Sequence, residues 1–433
     1  YIASDYATGW QNGKIKLATL SDTDTTNVVG TELVDFSASS DWTISSSSEG
    51  SHSFSSGVLT VTNNDTSDPP AYVYQAITTV SGKRYVLTAT AASGSSLANF
   101  ALIASVNTAT GGTINNIGSS TWNVAGTVAT NTFTATSATT YVLLRVNANS
   151  AGTCKIASCS ARLAEEDRSV NGNGLQVFGT VTKSAVATGA DLVAYSGFSS
   201  SNYLEQPYTG DLSFGTGDFS MMWWQKKTTA ALTATPLEFS SRDVDINGTP
   251  SALIYEYQSR VRFYTRGSGG WDYITDSSDD IVPGVWECYV ALRKNGLRSI
   301  FRNGILVGAD VSSVNHNVTS STAILRVGKR SDGAGSPFDG SIALVRVSAT
   351  APSEEQIKKM YNDEKHLFAT NAKATLYGSS DAVTALAYDD DTELLHAGTS
   401  AGRSEFQGLN RVDNTTDAVG TAISASNGFI VEE

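Results

Sequence analysis

Asp243, Asp245, Asn247 and Gly248 stand in the order Asp-x-Asp-x-Asn-Gly, the spacing that opens an oxygen-rich calcium loop. The bidentate acid that should close such a loop at its twelfth position is missing, because Ile254 stands there. Asp332 and Asp339, in KRSDGAGSPFDG, are alternative acids for the same ion. The competing reading of the 243–248 run is an Asx-type surface turn. Calcium is the one cofactor the sequence raises, and nothing in it requires one. The histidines, His52, His316, His366 and His396, are scattered without metal-ligand or triad spacing.

Rings and guanidinium groups offer more. In RVRFYTR, alternation sends Val261 and Phe263 one way and Arg260, Arg262, Tyr264 and Arg266 the other. LIYEYQ places Leu253, Tyr255 and Tyr257 on one face, and Trp271 and Tyr273 follow in GGWDYIT. A sugar lays its axial C–H surface against an aromatic face, while a planar fork of donors fixes hydroxyls or carboxylates. Trp271, Tyr264 and Arg262 exposed together would suit a glycan with acidic units. The plainer account of Trp271 and Tyr273 is packing in the core or on the sheet. Tyr72 and Tyr74, which share a strand face, and Trp122 are the comparable candidates earlier in the chain.

Strands must position these groups. The chain has 433 residues, enough for several domains with real cores. β-Branched and aromatic residues form short runs at roughly 8–12-residue spacing, broken by Gly, Asn, Asp or Ser, which predicts all-β sandwiches. Only APSEEQIKKMYNDEKHLF reads as a helix: Ser353 and Gln356 make a capping box, and Ile357, Met360, Tyr361 and Phe368 form an apolar stripe. The formal net charge of −13, with no clustered basic stripe, argues against a nucleic-acid partner. The apolar runs are too short to cross a bilayer, and no charged-then-apolar leader opens the chain, so membrane insertion is not expected. Tyr1 in place of Met marks an excerpt or a processed product. Cys154 and Cys159, five apart, would point to opposite faces of an extended strand, and a disulfide between them would need a bend or bulge. With Cys288 the count is odd, and buried free thiols are expected.

Four blocks follow from this pattern: a propeller-like hairpin over 1–30 turning at Gln11-Asn12-Gly13, a jelly roll over 31–163, a β-sandwich with a C-terminal helix over 164–368, and propeller-like blade strands over 369–433. LAEEDRS, 163–169, reads as a linker.

The stretch YVALRKNGLRSIFRNGILVGA, with its Asn295-Gly296 and Asn303-Gly304 turns, resembles the central hairpins of laminin-G-like domains of the concanavalin-A-like lectin/glucanase superfamily. GDFSMMWWQK, GVWECYVAL and FDGSIALVRVSATAPSEEQIKKMY carry the same resemblance, over about residues 170–365. Glucanases of that superfamily place paired acids on one strand, as Glu-x-Asp-x-x-Glu or Glu-x-Asp-x-Glu. No such strand exists here: Asp243-Val-Asp245 reads as a turn, and Glu256 is alone on its strand. The resemblance therefore implies a binding protein and no enzyme. It also implies a calcium site at a loop rim. The 31–163 block resembles jelly-roll carbohydrate-binding modules through Trp42, AYVYQ and GKRYVLTATA, and that family's pattern puts Trp42 in the core.

The tandem with propeller-like ends is similar to tail-fibre and other structural proteins of marine tailed bacteriophages, in YIASDYATGWQNGKIKLATLSD and DRSVNGNGLQVFG. That likeness implies a virion appendage, assembled in the host cytoplasm, exposed on the particle and homo-oligomeric, with other virion proteins and host-surface polysaccharide as partners. A virion-associated polysaccharide depolymerase and a purely architectural subunit are the alternatives.

Overall fold

One strand of 14 residues, Gly152–Glu165, serves two β-sandwiches without a break. The computed structural model describes residues 15–433 except 47, 49, 65–70, 98–99, 109–115, 123–124, 147–149, 230–232, 242–250, 268–269, 279, 320–322, 331–336 and 379–381; the side chains of 15, 117, 120, 122, 240, 241, 251, 267 and 323 also fall outside the description. In the first sandwich that strand pairs with Val58–Asn63 and Arg84–Ala91, which carry Gly50–Ser55 and Val128–Thr134 at the edges. A five-stranded sheet faces it, in the order Thr43–Ile44, Tyr72–Thr78, Thr139–Val146, Phe100–Ser105, Asn116–Trp122. Burial alternates along Val58–Asn63, as a strand with one covered face requires. Leu59, Val61, Leu87, Phe133, Val142 and Trp42 fill the space between the sheets.

At its far end the shared strand pairs Ala164 with Gln176 and Glu165 with Leu175, and so begins the second sandwich. From Leu175–Ala185 that sheet runs through Tyr203–Gln206, Ala323–Val327, Thr233–Ser241, Ser251–Tyr257 and Arg260–Gly267 to Gly270–Thr275. The opposing sheet is built on Gly340–Ser348 and continues through Phe219–Lys227, Trp286–Lys294 and Leu297–Arg302 to Ile305–Ala309. Val177, Leu204, Ile254, Phe263, Trp223 and Tyr289 belong to the core between them. The two Asn-Gly pairs make the tight corners: φ is 49° and 78° at Asn295 and Gly296, and 53° and 80° at Asn303 and Gly304. Positive φ at both central residues is what a type I′ hairpin demands.

The α-helix Glu354–Glu364 is capped as its sequence predicts, with Ser353 Oγ accepting from the Gln356 N–H and Gln356 Oε1 accepting from the Ser353 N–H. It covers the outer face of the second sheet, where Tyr361 and Phe368 stack on Trp224 at 5.7 and 4.2 Å. Trp224 Nε1 donates to Glu364 at 2.7 Å, and Arg346 pairs with the same carboxylate. No helix among the described residues is long and apolar enough to cross a membrane.

Three expectations are corrected. The described part of the first 30 residues forms no hairpin: Ile15–Thr19 pairs with Gly340–Ser348, and Val28–Gly30 pairs with Leu175–Ala185, so both strands complete the second sandwich. The Gln11-Asn12-Gly13 turn lies outside the described residues. The 163–169 stretch is no free linker, because its first residues continue the shared strand and Asp167 is buried, accepting from the N–H groups of Ala18, Ser169 and Asn173. Cys154 and Cys159 face the same way. A bulge between Ile156 and Ser158 flips the alternation, so both thiols enter the first core, and neither forms a disulfide. Burial pushes the Cys154 thiol up to about 12, leaving it inert as a nucleophile. Further along, residues 383–414 form a four-stranded antiparallel meander, followed by the hairpin Ile423–Ser426 and Phe429–Glu432.

A polar chain crosses the second core. Trp223 Nε1 donates to Gln225 at 2.7 Å, Gln225 Nε2 donates to Glu256 at 2.6 Å, and Lys227 pairs with Glu256 at 2.8 Å. Glu256, alone on its own strand, is thus answered from the opposite sheet. Burial raises its pKa against the pull of Lys227. Glu256→Leu leaves the buried Lys227 ammonium without a counter-charge, and urea denaturation should show a loss of about 3–5 kcal/mol. Glu256→Leu with Lys227→Met should recover most of it; equal losses in the single and double variants would contradict the pairing.

Candidate functional site

The candidates Tyr255, Arg262, Tyr264, Trp271 and Tyr273 meet on the outer face of the second sandwich, with Tyr257 and Arg266 beside them. Backbone pairing sets Tyr255 opposite Arg262, Tyr264 opposite Tyr273, and Arg266 opposite Trp271. Their neighbours along the strands, Ile254, Val261, Phe263 and Ile274, are in the core. A two-residue turn with left-handed φ at Gln258 and Ser259, 51° and 59°, closes the hairpin that carries Tyr255, Tyr257, Arg262 and Tyr264.

Tyr264 is the hub. Its ring centroid lies 4.8 Å from Tyr273, stacked, 5.9 Å from Trp271 and 6.3 Å from Tyr255, both edge-on. Its hydroxyl accepts from Arg262 Nη1 at 3.2 Å. The Arg262 guanidinium rests between Tyr257 and Tyr273, 4.3 and 4.8 Å from the centroids. Arg266 covers Trp271 at 5.7 Å and Arg330 covers Tyr255 at 5.6 Å. Tyr273 remains 46% exposed and Tyr257 37%, so the patch presents ring surface to solvent. Ring pairs of this geometry contribute about 0.5–1.5 kcal/mol beyond area burial, enough to hold the planes in place before any ligand arrives. No local pattern announces Arg330, which reaches Tyr255 from beyond the next strand but one.

The candidates of the first sandwich fare differently. Tyr72 is only 2% exposed, and its hydroxyl donates to the Thr108 carbonyl, so it is no exposed platform. Tyr74 is half-buried, 6.3 Å from Tyr72 and 6.2 Å from Tyr141. Both sit over Ala101, Ile103 and Leu143 on the sheet's outer face, an apolar patch that alternation alone does not show to be covered. Trp122 occupies the edge strand opposite Phe100, and its side chain lies outside the described residues, as do Asp243, Asp245, Asn247 and Asp332. Asp339, the other rim acid, accepts from Thr229 Oγ1 at 2.5 Å. Among the described residues no three His, Cys, Asp or Glu side chains converge as a metal site.

A second feature escaped the sequence because its parts come from distant segments. A cleft of about 480 Å³ between the sandwiches is lined by Asp22, Glu165, Lys183 and Tyr195. Lys183 hydrogen-bonds Asp22 and lies 3.9 Å from Glu165, which accepts from the Tyr195 hydroxyl. Burial raises Glu165 against the opposing pull of Lys183 and Tyr195. Burial also lifts Asp22, but its hydrogen bonds from Lys183 and the Asp24 and Thr23 N–H groups outweigh that and leave it below its usual value. Every charged member of this quartet has a partner within it.

Residues 198–358 match the family described as the concanavalin A-like lectin/glucanases superfamily. No curated protein matches the chain. Among solved structures the chain is similar to domain 4 of AbnA, a GH43 extracellular arabinanase from Geobacillus stearothermophilus bound to arabinotriose, at 16% identity over 45% of this chain and 92% of that one, TM-score 0.35. It is also similar to the CBM40 of Ruminococcus gnavus IT-sialidase bound to α2,3-sialyllactose, at 14% identity over 34% and 84%, TM-score 0.31. The binding domain of Paraclostridial mosquitocidal protein 1 matches at 13% identity over 55% and 62%, TM-score 0.36.

The raised Glu165 makes a pH signature. Its folded form holds a proton more tightly than the unfolded chain, whose carboxyl titrates near 4.5, so stability falls as pH rises from there through the folded value. Thermal melts of Glu165→Gln should show a shallower decline over that window than the parent chain; parallel curves would contradict the burial argument.

Proposed function

We propose that the protein is a non-catalytic glycan-binding appendage, whose second sandwich recognises host-surface polysaccharide through the Tyr264-centred face. The observation that carries this reading is the stacking of Tyr255, Tyr264, Trp271 and Tyr273 around Arg262 on the open side of the Ser251–Tyr257, Arg260–Gly267 and Gly270–Thr275 strands. Rings locked edge-on and face-on to one another lose little freedom when a sugar docks, which raises the affinity available from modest contacts. The likeness of the sequence to tail-fibre proteins of tailed phages supports a place on a virion, where several copies multiply weak single-site affinities.

Binding without bond cleavage is supported by how the buried acids are committed. Glu205 pairs with Arg326, Glu256 with Lys227, Glu287 with Arg302 and Glu364 with Arg346. A general acid and its partner need access to substrate, and these carboxylates face cations inside the protein. Calcium at Asp243, Asp245 and Asn247 is an accessory proposal, and the ring face does not depend on it.

Purified bacterial surface polysaccharide should bind the chain, and Trp271→Ala should weaken that binding about tenfold, equivalent to roughly 1.4 kcal/mol. Binding unchanged by Trp271→Ala, with the variant's melting temperature intact, removes this face from the site. Release of reducing ends would move the protein to the depolymerase class.

A further inference from the structure

We infer that the ligand of this face is an extended polyanionic polysaccharide, gripped at two places across the sheet; the inference rests on the glycan-binding reading above. Two observations carry it. The first is the electrostatic state of Arg262. Among the described residues its one hydrogen bond goes to the Tyr264 hydroxyl, its Nε is buried without a partner, and no carboxylate pairs with it. Elsewhere in the same sandwich buried guanidinium groups are engaged, Arg298 by Asp310 at 2.8 Å, Arg326 by Glu205 at 2.9 Å and Arg293 by the carbonyls of Gly215, Gly217 and His316. A guanidinium held between two rings, with no carboxylate partner among the described residues, is a fork open to a carboxylate or sulfate. It stands on a chain of net charge −13, so the local sign runs against the whole.

The second observation is another ring pair on the same outer face. Phe178 and Tyr203 stack at 4.5 Å with planes 6° apart, directly paired across their strands. Arg162 lies over Phe178 at 4.4 Å and Lys329 over Tyr203 at 4.4 Å. Lys329 is followed by Arg330, which covers Tyr255, so two consecutive cations reach the two ring groups. Tyr203 and Tyr255 are separated by the Ala323–Val327 and Thr233–Ser241 strands, three inter-strand steps or about 14 Å. A single sugar cannot touch both groups. A chain laid across the strands can, with acidic units over Arg262 and beside Lys329. Nucleic acid is the other polyanion with stackable rings, and the test separates it.

The full chain is titrated with polygalacturonate, alginate and chondroitin sulfate, with neutral dextran, and with a single-stranded DNA oligonucleotide, at low and raised salt. At least one acidic polysaccharide should bind at least tenfold tighter than dextran, with affinity falling as salt rises. A six-unit fragment of the tightest binder should exceed its two-unit fragment at least tenfold. Tyr203→Ala, or the milder surface change Lys329→Gln, should remove that length advantage, and Arg262→Gln should weaken six-unit binding about tenfold, with melts confirming folded variants. Dextran binding as tightly as the acidic chains overturns the anionic ligand and leaves the glycan reading standing. Equal affinity for two and six units overturns the second contact, and tighter binding of DNA overturns the polysaccharide. Silence across all the polysaccharides, dextran included, overturns this inference and the glycan reading together.

Discussion

The backbone ladder of Gly152–Glu165 is the constraint on which the arrangement rests. A strand that donates and accepts in one sandwich cannot rotate freely as it enters the next, because its amides are already committed. Asp167 then fixes the exit, taking three backbone N–H groups and the Ser169 hydroxyl. Gln176 Nε2 reaches the Val86 carbonyl at 3.3 Å, and Thr132 Oγ1 reaches the Asn173 carbonyl at 2.8 Å, so side chains repeat the tie. The first sandwich consequently lies against the Leu175–Ala185 strand at one end of the second sandwich's outer sheet, where Gln176 is buried, and the strands carrying Tyr264 lie at the other end.

The ring face inherits its rigidity from beneath. Each outward ring alternates with a core residue, so Tyr264 cannot tilt without moving Phe263, nor Tyr273 without Ile274. Glu256 adds a polar anchor between Tyr255 and Tyr257, joined to Gln225 and Lys227 on the opposing sheet. Such a face is preformed, its ring positions set by strand pairing.

How much of this could be read from residues alone divides along physical lines. Alternation within RVRFYTR and LIYEYQ separates inward from outward residues because a strand's period is a local property, and the Asn-Gly corners and the Ser353 cap are equally local. What could not be read depends on distant partners. The bulge beside Ala157 reverses the parity of Cys159 with no Gly or Pro to announce it. Residues 15–30 join strands more than a hundred positions away, so a nearby hairpin was the natural local guess and the wrong one. Tyr72 shares a face with Tyr74 as read, yet whether that face is open depends on a contact with Thr108, 36 positions on. Phe178 and Tyr203, and the Asp22, Glu165, Lys183 and Tyr195 quartet, become neighbours only through the sheet.

A joint made of strand has a mechanical meaning. Tension applied at one sandwich passes to the other along a continuous polypeptide whose flanking hydrogen bonds lie across the direction of pull, so they are loaded together in shear instead of being unzipped one at a time. A protein hinged by a slack tether would let its two lobes swing apart under drag. Here the two lobes bear load as one stiff lever, and the ring face keeps its orientation relative to the body behind it.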